Sequence, residues 1–193
     1  RGVLFMGLRG VMQVGASVGI SALLYSTSHA EVWGLTKESL VSFDIKTVGL
    51  TVVQGVSDEA QARLYFDINQ PKNASVVVTL SSNSLQFNPP VLRPMILSEH
   101  FFDADQYKTM MFKSTEFVPI DADHYNVYGN LTLKGITKPT VFMTLLKPNT
   151  ANPRLLDVNA VGSINRSDFG MKKAYGGVGE KVNIRLKGQL QSK

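Results

Sequence analysis

Between Ser39 and Gln191 apolar and polar residues alternate with a period of two, in eight separate runs. Successive side chains on an extended strand point to opposite faces, so this alternation predicts half-buried strands. SLVSFDIKTV places Val41, Phe43 and Ile45 on one face and Ser42, Asp44 and Lys46 on the other. ARLYFDI sets Ala62, Leu64, Phe66 and Ile68 against Arg63, Tyr65 and Asp67. SVVVTLSS and TMMFKSTEF follow. HYNVYGNLTLKG then gives Tyr125, Val127, Gly129, Leu131 and Leu133 inward, opposed by Asn126, Tyr128, Asn130, Thr132 and Lys134. TVFMTLL and LLDVNAVGSI continue the series. EKVNIRLKGQLQ ends it, with Val182, Ile184, Leu186 and Leu190 on the inner side.

Turn-forming clusters separate the runs: Asn69–Asn73 with Pro71, Pro119–Asp123, Lys134–Pro139 and Pro148–Pro153. Such short links leave no room for helical crossovers between most neighbours, so the strands pair antiparallel. One short helix is expected over about Val91–Ser98, entered through Pro89-Pro90. The fold class is all-β, with eight antiparallel strands forming a sandwich or a closed barrel; closure removes the edges that invite aggregation. An eight-stranded barrel either fills itself with side chains or holds one small ligand. Small residues on the expected inner face (Ala62, Ser114, Gly129, Ala160, Gly162) and adaptable methionines (Met95, Met110, Met143) favour a hollow one. A filled core is the alternative.

Residues 1–30 follow a different pattern. Arg1 and Arg9 are the fixed charges, Gly10–Tyr25 is an apolar run of sixteen residues, and the segment ends Ser28-His29-Ala30. A basic start, a short apolar middle and a small-x-small end describe a secretory signal peptide, and the run is below the roughly 20 residues a spanning helix needs. Residues 1–30 are therefore expected to be cleaved before Glu31, leaving a barrel domain over 31–193 in the periplasm or outside the cell. An uncleaved anchor is the alternative.

Composition then narrows the chemistry. The chain has no cysteine, which excludes disulfides, thiolate nucleophiles and thiolate-ligated zinc. Its net charge is +5, but the basic residues are spread along the chain or alternate with apolar ones, as at Lys172, Lys173, Lys181, Arg185, Lys187 and Lys193. Nucleic acid is not an expected partner. His29, His100 and His124 stand on separate segments, with no HExxH pair and no GxSxG, so neither a histidine-ligated metal nor a serine hydrolase is supported. Gly176-Gly177-x-Gly179 lacks the strand–turn–helix setting and the lysine of a phosphate loop. Sequons at Asn73, Asn130 and Asn165 matter only in a glycosylating compartment. HFFDADQYKTMMF, from His100 to Phe112, concentrates a histidine and two carboxylates. Without a second histidine it reads as a junction, with Phe101 and Phe102 turned inward and Asp103 and Asp105 bonding nearby backbone N–H groups. In NRSDFGM, Arg166 and Asp168 either meet a polar ligand head or pin the last turn while Phe169 plugs the barrel end; the residues favour the structural role.

Three segments together resemble a known family. FFDADQYKTMMFKST, VYGNLTLKGITKPT and INRSDFGM are similar, in order and spacing, to the signature segments of the YceI-like exported proteins, with an alignable region from about Trp33 to Lys187. The resemblance implies a lipocalin-like antiparallel barrel that holds a long polyisoprenoid, isoprenoid quinone or similar amphiphilic lipid, with no cofactor and no established catalysis. Peripheral membrane contact and a monomeric or homodimeric state remain open. Glu38 and Thr47 stand where the family usually carries histidines, and Lys108 where a proline often follows the tyrosine. The residues expected to line the tube are Phe43, Ile45, Phe66, Val78, Leu80, Met95, Phe101, Met110, Phe112, Leu131, Leu133, Met143, Ala160, Phe169 and Ile184, with Arg166 and Asp168 at its polar end.

Overall fold

The computed structural model describes residues 31–47, 50–172 and 178–193. The expected signal peptide and Gly176-Gly177 lie outside the described residues. Eleven strands form one antiparallel sheet: β1 (Glu31–Leu35), β2 (Leu40–Thr47), β3 (Leu50–Ser57), β4 (Gln61–Phe66), β5 (Ser75–Ser81), β6 (Gln86–Asn88), β7 (Thr109–Pro119), β8 (His124–Leu133), β9 (Ile136–Pro148), β10 (Leu155–Asn165) and β11 (Lys181–Ser192). The helix α1 (Arg93–Leu97) follows a 3-10 turn at Pro90–Leu92, inside the expected window.

Eight strands close into a ring, β1–β4–β5–β7–β8–β9–β10–β11, which returns to β1. The closed eight-stranded barrel is as expected, but its membership differs. The run SLVSFDIKTV, now β2, stands outside the ring, and the five-residue β1, too short to show a period, completes it. One edge of β11 serves two strands in tandem. Residues Leu190–Ser192 pair with β1, and Val182–Lys187 pair with β2. From β2 the sheet runs on through β3 to β6 as a flap, two strands that the alternation did not predict. Ile68, expected inward, lies in the turn after β4 and is exposed.

Two local devices set the register. At β7 the pairing with β8 slips between Ser114 and Glu116. The extra residue of this bulge reverses the face, so Met110 and Phe112 point inward before it and Phe117 after it, while Glu116 stays in solvent. The β8–β9 hairpin turns on Lys134-Gly135, both at positive φ (+50° and +70°), the type I′ geometry that matches strand twist.

Register also orients the tube. Tyr125, Phe66 and Trp33 fall at the lower end, where β8 begins and β4 finishes; Leu133, Ile164, Val182 and Ile45 fall at the upper end. On the outside, Asp157 joins the strands near the lower end. One of its carboxylate oxygens accepts from Gln189 Nε2 (2.8 Å) on β11 and from Asn149 Nδ2 (2.9 Å) in the β9–β10 loop. Those two hydrogen bonds hold the Asp157 carboxyl below its usual pKa. A depressed carboxylate contributes stability above its unfolded pKa of about 3.9 and loses it as the pH falls through the folded value. Asp157→Ala is therefore expected to lower stability by on the order of 1 kcal/mol at neutral pH. In chemical denaturation the gap from the parent should narrow steadily below about pH 4.

Candidate functional site

The inward faces of the strands enclose an elongated cavity of about 190 Å³. Its wall includes Phe43 and Ile45 of β2, Val78 and Leu80 of β5, Met110 and Phe112 of β7, Leu131 and Leu133 of β8, and Ala160 and Ile184 of β10 and β11. Val127 and Leu133, both on the wall, stand six residues apart on β8, so the lined stretch is about 20 Å long. An apolar cavity of about 150 Å³ already stays dry and accepts a small hydrocarbon. The described lining side chains are apolar apart from Ser42, Thr144 and Arg166. Thr144 turns its hydroxyl back to donate to the Phe142 carbonyl (3.2 Å), so its polar atom is already spent within β9.

Glycines give the tube its width. A Cβ on Gly129 would fall 2.5 Å from the Phe112 ring, one on Gly162 2.8 Å from Phe142, and one on Gly55 2.2 Å from Phe43. Each phenylalanine therefore lies back over a bare stretch of a neighbouring strand instead of projecting across the lumen. The Phe112 and Phe142 rings meet edge to face at 4.9 Å, a favoured aromatic geometry that locks the pair against the wall.

Both ends are stopped. Below, Phe66 and Tyr125 pack edge to face (5.9 Å), Phe117 meets Tyr125 at 6.3 Å, and Trp33 is buried on the adjoining strand. Tyr125 is 2 % exposed, and burial raises its phenol pKa. Above, Phe101, Phe102, Phe169 and Met171 are all buried. Phe102 rests edge to face on Phe43 (5.9 Å). The loop that carries Phe101 and Phe102 is held by its main chain: the Asp103 carbonyl accepts from the Gln106 and Tyr107 N–H groups (3.1 and 2.8 Å). That corrects the expectation of side-chain caps from Asp103 and Asp105.

Arg166 borders the upper end at 4 % exposure. Its Nε donates to the Gly179 carbonyl (2.9 Å), Nη1 donates to the Met171 carbonyl, and Nη2 lies 3.6 Å from Glu180. Hydrogen bonding from Ser167 is the main reason the Glu180 carboxyl is held below its usual pKa; the Arg166 charge adds to this. The guanidinium thus ties the turn after β10 to the start of β11, which is the structural role favoured by the sequence.

Three expected lining residues and one expected at the polar end lie elsewhere. Met143 is 61 % exposed and faces outward. TVFMTLL is apolar on both faces, so alternation alone does not choose between them; the inward residues are Phe142, Thr144 and Leu146. Phe66 belongs to the lower stop and Phe169, at 1 % exposure, to the upper plug; neither touches the cavity. Asp168 is exposed, and the ion partner of Arg166 is Glu180. Met95 and Phe101 do reach the cavity, from α1 and the loop after it. The alternation missed Leu35 and Val53 because their strands were missed, and it missed Ile96 because a five-residue helix shows too little period.

Among the described residues no group of three or more histidines, aspartates or glutamates is placed to hold a metal, and no helix is long and apolar enough to cross a membrane. What the geometry defines is a closed antiparallel barrel around an apolar tube. The chain belongs to the YceI-like family: the model of the YceI-like domain matches residues 33–190. A UPF0312 protein of Yersinia enterocolitica is 27% identical over 179 residues, covering 90% of this chain and 93% of the relative. Among solved structures, Burkholderia cenocepacia BcnA superposes with a TM-score of 0.72 at 22% identity, over 81% of this chain and 98% of that one. A polyisoprenoid binding domain from Saccharophagus degradans superposes with a TM-score of 0.66 at 10% identity, over 86% of this chain and 100% of its own.

The glycine arrangement predicts the result of filling it. Gly129→Ala would bring its Cβ to 2.5 Å from both the Phe112 ring and the Lys113 carbonyl, so the ring and the β7–β8 backbone must both shift; such overpacking costs roughly 1–3 kcal/mol. The variant is expected to unfold at lower denaturant and to take up less of an apolar fluorescent probe than the parent.

Proposed function

We propose that this protein holds a long-chain isoprenoid, isoprenoid quinone or similar amphiphilic lipid in its barrel and carries or sequesters it. The observation behind this is the tube itself: it is apolar along its length, and the Thr144 hydroxyl and the Arg166 guanidinium already have partners in the wall and the adjoining turn. The description of the Saccharophagus neighbour as polyisoprenoid binding supports the same ligand class. Burying ten methylenes gains about 8 kcal/mol before several kcal/mol of ordering costs, enough for useful affinity without any directional contact. Selectivity then follows from bore and length, since the aromatic stop at Phe66 and Tyr125 limits how far a chain can descend. The cavity of about 190 Å³ is below the roughly 300 Å³ at which ligand sites usually begin. Loading a long chain therefore requires the plug of Phe101, Phe102 and Met171 to move. Carriage of this kind needs no catalytic group. We propose further, on the sequence pattern of residues 1–30, that the protein works after export.

Organic extraction and mass spectrometry of the protein from its native host are expected to yield a long-chain lipid at near one-to-one ratio. A brominated alkyl chain should quench the sole tryptophan, Trp33, at the base of the tube. A lipid-free extract together with unquenched Trp33 would refute the carrier reading.

A further inference from the structure

The outer wall of the barrel carries an apolar patch that the tube does not explain. Met143, Tyr128 and Val141 are 61 %, 42 % and 41 % exposed. Register sets them side by side: Val141 opposes Tyr128 across the β8–β9 ladder, and Met143 opposes Val161 across the β9–β10 ladder. Leu145, half-buried, follows on the same face of β9. Neighbouring strands lie about 4.8 Å apart, so these side chains form one surface across β8, β9 and β10. Solvent-facing positions of an antiparallel sheet are ordinarily polar, and β9 departs from that over residues 141–145.

Cations border the patch on one side. Arg185 opposes Val161 and Lys187 opposes Asn159 across the β10–β11 ladder; beyond Lys187 stands Leu40 of β2, 46 % exposed. Both cations are exposed, and neither forms an ion pair among the described residues. Strands β8, β9 and β11 contain no carboxylate. Those of β10 and β2 are engaged: Asp157 accepts from Gln189 and Asn149, and Asp44 accepts from Asn183 Nδ2 (3.1 Å). Glu116, opposite Tyr128 on β7, marks the far edge.

An apolar crest flanked by unpaired cations complements a surface that is anionic over an apolar interior, as a membrane with acidic headgroups is. Tyr128, with an apolar ring and a polar tip, suits the headgroup layer. A second copy of this chain would present the same cations, with one carboxylate, Glu116, to meet them. The backbone adds no cost, because β9 is paired on both sides over residues 143–145 and its polar groups stay satisfied when water leaves. We propose that the outer face of β8 to β11 docks the protein on an anionic membrane surface, Met143, Val141 and Tyr128 entering the headgroup layer and Arg185 and Lys187 meeting acidic headgroups. The proposal is separate from the lipid-holding reading: docking uses the outside of the wall, whatever the tube holds.

The test is co-sedimentation of the protein purified from its native host with vesicles. One set contains equal parts phosphatidylglycerol and phosphatidylethanolamine, the other phosphatidylcholine alone. The parent is expected to sediment with the anionic set and to stay in solution with the neutral one. Salt at about 1 M, where the screening length falls to about 3 Å, should release most of it. Arg185→Gln combined with Lys187→Gln should weaken binding roughly thirtyfold, since each cation near such a surface adds about a fivefold factor. Met143→Glu should weaken it by roughly tenfold or more, because it sets a charge where an apolar side chain enters. Val91→Glu, at a 79 % exposed position off the patch, should bind as the parent does. Equal binding to both vesicle sets, or none to either, would overturn the proposal. So would binding that survives both patch variants or is lost in Val91→Glu, since the contact would then lie elsewhere on the chain. A parent that ignores vesicles but forms a dimer that Met143→Glu dissociates would give the face to a second copy and overturn it as well.

Discussion

Three residue pairs carry the closure of this barrel: Trp33 with Ser192, Gly34 with Gln191 and Leu35 with Leu190. Without them β4 and β11 would both present an unpaired edge near the lower end, and the lumen would open along that seam. With them the ring is continuous, and its inward faces, together with those of β2 and β3, surround the lumen. The apolar faces of the ring strands are then buried around the lumen, with β2 and β3 of the flap contributing to the wall. The apolar tube and the aromatic stop below it follow from that closed curvature.

Closure alone would give a filled core. A ring of eight strands is narrow, and phenylalanines at Phe43, Phe112 and Phe142 are enough to block it. What keeps the bore open is the placing of glycine beside each of them on a neighbouring strand. The backbone there lies low enough for a ring to fold back on it. The wall thus gains large apolar surface without giving up lumen, and a bound chain would meet ring faces and methyl groups along its length. Polar atoms near the tube are satisfied locally: Thr144 by its own strand, Arg166 by the turn it ties down. That suits a site that discriminates by shape and length.

Much of this architecture was legible in the alternation. β8 is the clearest case, since Tyr125, Val127, Gly129, Leu131 and Leu133 form one face with no ambiguity, and the face they form is the inner one. The alternation failed where its physical basis fails. β1 has five residues and includes a glycine, so it shows no period, yet it closes the ring. β9 is apolar on both faces over Val141–Leu146, and Met143 was assigned to the wrong one. The bulge in β7 reverses the face in mid-strand, which a fixed period of two cannot express. At the upper end, motif reasoning located the Arg166 segment, but besides the nearby Met171 carbonyl the arginine's partners Gly179 and Glu180 stand thirteen and fourteen residues on in sequence. No spacing rule predicts that contact.

The central claim is that the lumen is an open apolar tube that holds a chain. A crystal structure of the protein purified from its native host without delipidation tests this most directly. The account predicts one continuous rod of density along the axis, in contact with Phe112, Phe142 and Leu131 and ending above the Phe66–Tyr125 pair. A lumen closed by inward rotation of those phenylalanines, or one holding a string of separate ordered waters, would contradict it.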